Sequence, residues 1–158
     1  KQKPAYILSA PMGGLEGSGA REENIYPYST AGQAGVARRM WAESGYTPKD
    51  VDVLQVYQNM TGMGVGSLID HGFCTYENAG EIIKFENLIA PHGSLPCNTS
   101  GGDLAEGFIH GMGLVAEAVR QLRGTSTNQV PDAKLSLMTG GPGDTLTSTA
   151  LFGTEETL

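Results

Sequence analysis

The stretch that most constrains this chain is DLAEGFIHGMGLVAEAVRQLR, Asp103 to Arg123. Leu104, Phe108, Met112, Val115, Val119 and Leu122 recur at three- and four-residue steps, the period of one helical stripe, and Gly124 stands where such a helix stops. The spacing predicts a continuous helix over 103–123. Its opposite side carries Gly107, His110 and Gly113, with Leu114 and Glu117 nearby. Small residues there let a second layer approach, so this helix is expected to lie sandwiched between layers rather than on a surface.

The rest of the chain reads as alternating strand and helix. PAYILSAPM is a strand bounded by Pro4 and Gly13-Gly14, followed by the loop GLEGSGAREENIYPY. Ser29 can cap a helix that runs to about Glu43, with Val36 and Met40 four apart and Gly45 as its stop. VDVLQVYQ is the clearest strand, and the three elements together predict a βαβ unit with a parallel pair. TGMGVGSLIDHG reads as a short, glycine-weakened helix, while the conformation of Ile82 to Leu88 stays open. KLSLMTGG and LTSTALFG close the chain as two strands joined through GGPGD, a predicted hairpin. The 23 glycines fall at these junctions rather than in a low-complexity tract. One α/β domain over residues 1–158 is expected.

Charge and cysteine usage exclude several functions. A formal net charge of −7 and a pI near 4.8 argue against nucleic acid, because binding a phosphate backbone needs clustered Lys and Arg. No apolar run approaches the roughly 18 residues a membrane span requires, and KQKPAYILSAP lacks the apolar core of a signal peptide. A cytoplasmic chain without a membrane partner is expected. Cys74 and Cys97 form neither a disulfide framework nor a metal pattern, so two buried thiols and no metal site are expected.

Three places carry candidate chemistry. In NTSGG, Asn98 to Gly102, Thr99 or Ser100 can cap the following helix while Gly101 and Gly102 free the backbone. Amide N–H groups at such a mouth can face an anion or an acyl oxygen, or simply form a capped turn. His110 has a reference pKa suited to a general base, but no Ser or Cys stands by it as an activated nucleophile, and a packed core histidine fits equally. Tyr57 and Asn59 end the VDVLQVYQ strand on one side of it, at the carboxyl edge where ligands of parallel sheets collect. Tyrosine there can donate to a carbonyl, move a proton, or lie half buried with a wet hydroxyl. His71 and His92 are assigned nothing.

In this order, GYTPKDVDVLQVYQNM, GFCTYENAGE, LPCNTSGGDLAEG and EAVRQLRG resemble the C-terminal half of the thiolase superfamily, in its lipid-transfer or sterol-carrier-protein-x branch. The likeness spans about Pro4 to Phe152. It implies a thiolase-like C-terminal domain: an α/β fold with a mixed five-stranded sheet and helices on both faces, stacked in the family with an N-terminal half that this chain does not contain. It implies further that the 103–123 helix is the one buried between the halves. An acyl-CoA substrate, with coenzyme A entering only as part of it and no other cofactor, follows in the same way. So does assembly as a homo- or hetero-oligomer.

The chain departs from the thiolase pattern at its catalytic positions. Phe108 stands where the GHP motif places the catalytic histidine, and His110, two residues on, lies about 200° round a helix from it. The Cys-x-Gly motif would fall within Met138 to Gly141, which holds no cysteine. The remaining motif reads Tyr57-Gln58-Asn59-Met60, and a tyrosine there is similar to the steroid side-chain aldolases of the superfamily, which cleave a β-hydroxyacyl-CoA by retro-aldol chemistry. A second tyrosine expected near position 108 is replaced by Phe108.

Two functions are therefore weighed. The first is the C-terminal domain of an acyl-CoA enzyme, of the acetyl-CoA acetyltransferase or lipid-transfer type, that makes or cleaves a C–C bond beside a thioester once combined with an N-terminal half. Tyr57 and His110 would be its catalytic side chains, with Asn59, Asn98, Ser100, Gly101, Gly102 and Phe108 on the substrate. The alternative is a noncatalytic acyl-CoA-binding or scaffolding subunit that partners a catalytic protein or an OB-fold, zinc-ribbon acyl-CoA-binding protein.

Overall fold

The computed structural model describes residues 2–14, 33–107, 109–141 and 146–158. Strands β1 (Tyr6–Ser9), β2 (Met12–Gly13), β3 (Val53–Val56), β4 (Leu135–Gly140) and β5 (Thr147–Gly153) form one five-stranded sheet of order β1-β5-β4-β3, with β2 also on β5. β3 and β4 run parallel, Val53 opposite Ser136 through Val56 opposite Thr139. β5 is antiparallel to both β4 and β1, so the sheet is mixed.

This topology corrects one expectation. β1 and β3 point the same way, as the βαβ reading requires, but they are not neighbours: β5 and β4 lie between them. The two closing strands take the central places, β4 buried at every residue and β5 at five of its seven. The complete burial of β4 suits a strand paired on both sides and covered on both faces. The predicted pairing of the last two strands holds from Leu135–Gly153 to Gly140–Ser148, while the turn residues 142–145 lie outside the described set.

Alternation along the strands divides the core between two faces. Leu54, Val56, Leu137 and Leu151 face helices α1 (Gln33–Ser44) and α2 (Thr61–Asp70), where Met40 and Leu68 complete the cluster. Tyr57, Met138 and Phe152 face α6 (Met112–Arg123), packing on Leu114, Ala118 and Leu122. Each fully buried Leu stabilises the fold by about 2 kcal/mol of transfer free energy, so this pairing of faces holds the three layers together. Gly45, at φ +75°, ends α1 as expected, and the Ser29 cap lies outside the described residues. The open segment forms two single turns, α3 (Ala79–Ile82) and α4 (Phe85–Leu88).

The continuous 103–123 helix is corrected most sharply. It is two helices, α5 (Gly102–Ala105) and α6, separated by six residues. Gly107, His110 and Gly111 all take positive φ, at +97°, +52° and +86°, which no right-handed helix admits. Glu106 folds back onto α6, its Oε1 3.2 Å from Nη1 of Arg120. Gly124 then closes α6 at φ +71°, with the Thr125 amide donating to Arg120 O at 3.0 Å in a Schellman-type end.

With the break, the buried face changes. The side of α6 against the sheet holds Leu114, Glu117, Ala118, Gln121 and Leu122, whereas Leu104 and Met112 of the predicted stripe are 68% and 60% exposed. Val115 and Val119, partly buried, continue that outward stripe beside a groove of about 680 Å³ reaching the N-terminal Lys3. No helix among the described residues is long and apolar enough to cross a membrane.

Candidate active site at the carboxyl end of the third strand

β3 delivers Tyr57 to the carboxyl edge of the sheet. The Tyr57 amide still donates to Thr139 O of β4 at 3.0 Å, so the residue is held in strand register although the strand proper stops at Val56. Its ring is 93% buried, against Leu114 and Met138. Burial, reinforced by the negative charge of Asp103, pushes the phenol above its ordinary pKa, so Tyr57 is poised as a hydrogen-bond donor rather than a phenolate. Gly111 lies against the ring: a Cβ there would stand 3.2 Å from Tyr57 Cδ2 and 3.1 Å from Met138 Cε.

The NTSGG turn is fixed to the other side of β3. Leu54 N donates to Pro96 O and Asn98 N to Leu54 O, at 2.8 and 2.9 Å, which adds a short parallel bridge at Cys97 to the open edge of the sheet. The Asn98 side chain continues the bridge as a second backbone would. Its Oδ1 accepts from Val56 N at 2.7 Å and its Nδ2 donates to Val56 O at 3.0 Å. Asn98 pays for this with φ +50°, a conformation that Asn tolerates better than most residues.

After Asn98 the chain doubles back through Ser100, Gly101 and Gly102. Gly101 (φ +101°) and Gly102 (φ +62°) supply the left-handed backbone, and a Cβ on Gly102 would come within 2.9 Å of Asn98 Nδ2 and 3.1 Å of Gln58 Nε2. The Gly101 amide is committed to Asn98 O at 2.8 Å, and α5 is one turn long. The anticipated helix mouth with a dipole behind it is therefore replaced by a glycine turn. The Ser100 hydroxyl is shielded from water and has no hydrogen-bond partner among the described residues.

Asp103, buried, completes this end of the sheet, its Oδ2 accepting from Gln58 N at 3.3 Å. The structure thus gathers Tyr57, Asn98, Gly102, Asp103 and the 110–111 backbone around the end of β3. Asn59 diverges: its Oδ1 accepts from the amide of Met60 as the chain turns into α2. His110 is exposed on the linker rather than on a helix, one residue from the glycine that meets Tyr57. Phe108 lies outside the described residues.

Both thiols sit on the far side of the sheet, in the α1/α2 core. Burial pushes both above the ordinary range, Cys97 to about 12, which leaves them without the thiolate a nucleophile needs. Among the described residues no three His, Cys, Asp or Glu side chains gather as a metal would require.

Sequence reasoning missed three participants. Asp103 was legible only as a helix-start residue. Gln55 was legible as a polar anomaly inside the apolar strand Val53–Val56, whereas Glu117, on the side away from the predicted stripe, reads as a surface residue until the structure buries it beside Leu114 and Ala118.

Residues 18–153 match the family described as thiolase C-terminal domain-like. The 17-hydroxy-3-oxo-4-pregnene-20-carboxyl-CoA lyase of Mycobacterium tuberculosis is 44% identical over 108 residues, covering 68% of this chain and 28% of that protein. The steroid side-chain-cleaving aldolase of Thermomonospora curvata is 38% identical over 137 residues, 83% of this chain and 35% of its own. Among solved structures, the Ltp2-ChsH2(DUF35) aldolase superposes with a TM-score of 0.90 at 35% identity, over 100% of this chain and 41% of that one. The chain spans about a third of the length of these curated relatives. It belongs to the thiolase C-terminal domain-like family.

Proposed function

We propose that this domain supplies half of an acyl-CoA retro-aldolase site, with Tyr57 as its acid–base side chain. The observation that carries the reading is the separation of Tyr57 from both thiols: Met138, which packs with Tyr57, opens the stretch 138–141 that holds no cysteine, and Cys74 and Cys97 lie across the sheet. Carbon–carbon cleavage there has to proceed without a sulfur nucleophile from this domain. Two relatives are named as a carboxyl-CoA lyase and a steroid side-chain-cleaving aldolase, names that fit a lyase reading.

In a β-hydroxyacyl-CoA, a base takes the hydroxyl proton, the Cα–Cβ bond breaks to leave an aldehyde or ketone, and its electrons pass to the thioester as an enolate. Protonation of that enolate at carbon releases the shorter acyl-CoA. Tyr57, held protonated, donates to the thioester oxygen as charge develops or returns the proton to carbon. Asn98 holds the turn in place, and Ser100 and Gly102 bound the substrate beside it. His110 and Asn59 are given supporting roles only, and Phe108, an apolar residue, is assigned to the substrate. Coenzyme A enters as part of the substrate, with no other cofactor.

The first half of the fold covers the outward stripe of Leu104, Met112, Val115 and Val119, and a DUF35-type partner, of the kind the name of the Ltp2-ChsH2(DUF35) aldolase gives for that protein, joins it in a hetero-oligomer. Replacing Tyr57 by Phe in the intact protein tests the reading. A fall in kcat of about 100-fold with KM little changed is expected from losing a general acid–base group. Wild-type turnover would remove Tyr57 from the mechanism, and an assembled complex that binds a β-hydroxyacyl-CoA without cleaving it would leave the scaffolding function.

A further inference from the structure

Behind the candidate site lies a buried polar cluster that the chemistry above does not use. Glu117, 98% buried on α6, accepts three hydrogen bonds on one oxygen: from Thr99 Oγ1 at 2.6 Å, Ser126 Oγ at 2.6 Å and Gln121 Nε2 at 3.0 Å. Thr99 accepts in turn from Gln55 Nε2 on β3 at 3.0 Å and Gln121 Nε2 at 2.9 Å. Its carbonyl accepts from Asn128 Nδ2 at 2.8 Å. The second Glu117 oxygen faces Arg120 Nη1 at 3.8 Å.

Counting donors shows what this cluster does. Thr99 has one hydroxyl proton, and it goes to Glu117, since both of its other neighbours are amide donors. A carboxylate or amide oxygen at that spot is therefore the acceptor that fixes the Thr99 rotamer, and with it the residue between Asn98 and Ser100. A buried carboxylate with three donors is also strongly directional, because displacing it strands the Thr99 and Ser126 hydroxyls.

We infer that Glu117 is the positioning residue of the NTSGG turn, acting through Thr99 to hold Ser100, Gly101 and Gly102 at the distance from Tyr57 that the substrate requires. Asn98 anchors the turn to β3 and Glu117 anchors it to α6, so the turn is stretched between the sheet and the helix on either side of the site. The role is one of placement, not of charge. This inference rests on the acyl-CoA reading above for its consequence in turnover, but not for its structural content.

The test compares Glu117→Asp with Glu117→Gln in the intact protein. Asp keeps the charge and withdraws the acceptor by one methylene; Gln keeps an acceptor oxygen in place and removes the charge. Amide hydrogen exchange of the peptide covering 98–104, whose Asn98 and Gly101 amides are hydrogen-bonded, reads the turn directly. Glu117→Asp is expected to speed exchange there about tenfold and Glu117→Gln less than about threefold, the spread of one hydrogen bond lost or kept. Turnover follows the same order, kcat falling about tenfold in Glu117→Asp with KM within about threefold. Thr99→Val and Thr99→Ser repeat the contrast from the other partner, Val behaving like Glu117→Asp and Ser like the wild type.

Unchanged exchange in both Glu117→Asp and Thr99→Val overturns the inference. Loss in Glu117→Gln equal to that in Glu117→Asp also overturns it, because charge rather than position would then matter. If the wild-type protein cleaves no acyl-CoA, the proposed function falls while the exchange measurement still decides the role of Glu117.

Discussion

Replacing Asp70 by Asn should change how the stability of this domain depends on pH, because two adjacent groups, the half-buried Asp70 and the buried His71, titrate in opposite senses. His71 is 1% exposed, its Nδ1 2.8 Å from Ser67 O and its Nε2 3.1 Å from Thr149 Oγ1. Burial pulls its pKa down to about 4, against the Ser67 carbonyl, which favours the charged ring. The unfolded chain, with a value near 6.5, therefore binds more protons across that window. Stability from His71 is complete above pH ~6.5 and is lost as pH falls toward 4, by about 3 kcal/mol at ~1.4 kcal/mol per pKa unit. Asp70 is raised to about 7, first by burial, with the Ala34 backbone working the other way. Its folded value lies above its unfolded one, so its contribution is present below about pH 4 and is lost as pH rises through about 7. Because its side chain is partly solvated, its share is discounted to on the order of 1–2 kcal/mol.

Between pH 4 and 6.5 the folded chain thus keeps a proton on Asp70 and the unfolded chain keeps one on His71, and the two slopes largely cancel. Asp70→Asn removes one of them. The variant should be more stable than the wild type by on the order of 1–2 kcal/mol at pH 8, where burial of a charge is relieved, and the gap should close by pH 4. Hydrogen exchange of the α2 peptide in graded urea, corrected for the intrinsic pH dependence of exchange, measures both curves in the intact polypeptide. A gap that is independent of pH, or one that widens toward pH 4, would refute this reasoning.

Other substitutions follow from the site. Gly111→Ala places a methyl against the Tyr57 ring at φ +86° and should destabilise the domain by roughly 1–3 kcal/mol while lowering kcat, as read by urea unfolding and steady-state assay. Asn98→Ala removes both side-chain bonds to Val56 and should cost about 1–3 kcal/mol; a loss below 0.5 would mean the pairing is dispensable. Met112→Asp puts a charge at the exposed start of the outward stripe of α6 and should weaken association of the two halves when they are expressed as separate pieces and co-purified, without changing the unfolding of this half.

The parts of the fold that follow local periodicity were legible. VDVLQVYQ, KLSLMTGG and LTSTALFG became β3, β4 and β5 because alternating and buried runs suit strands whatever their partners. Strand order was not legible, since β1 and β3 carry the same signal whether or not two strands intervene. The 103–123 helix failed for an instructive reason: its apolar stripe is real but crosses a break built from Gly107, His110 and Gly111, and the side of α6 that meets the sheet is half polar. Glu117 and Gln121 look like surface residues in one dimension; only Thr99, Gln55 and Ser126, arriving from elsewhere in the chain, make that face buriable. Around the candidate site, the place of Tyr57 at the end of its strand and of NTSGG as a turn was legible from position alone. The helix-mouth chemistry was not, because a glycine pair permits a tight turn as readily as it opens a helix.

The central claim is that Tyr57 serves a cleavage without a sulfur nucleophile. Its most direct measurement is mass-spectrometric product analysis of a β-hydroxyacyl-CoA incubated with the intact protein and its partner in the absence of free coenzyme A. The account predicts one carbonyl compound and one shortened acyl-CoA in equal amounts, unaffected by prior alkylation of the thiols. Cleavage that appears only when free coenzyme A is added would contradict it, since that is the signature of thiolysis.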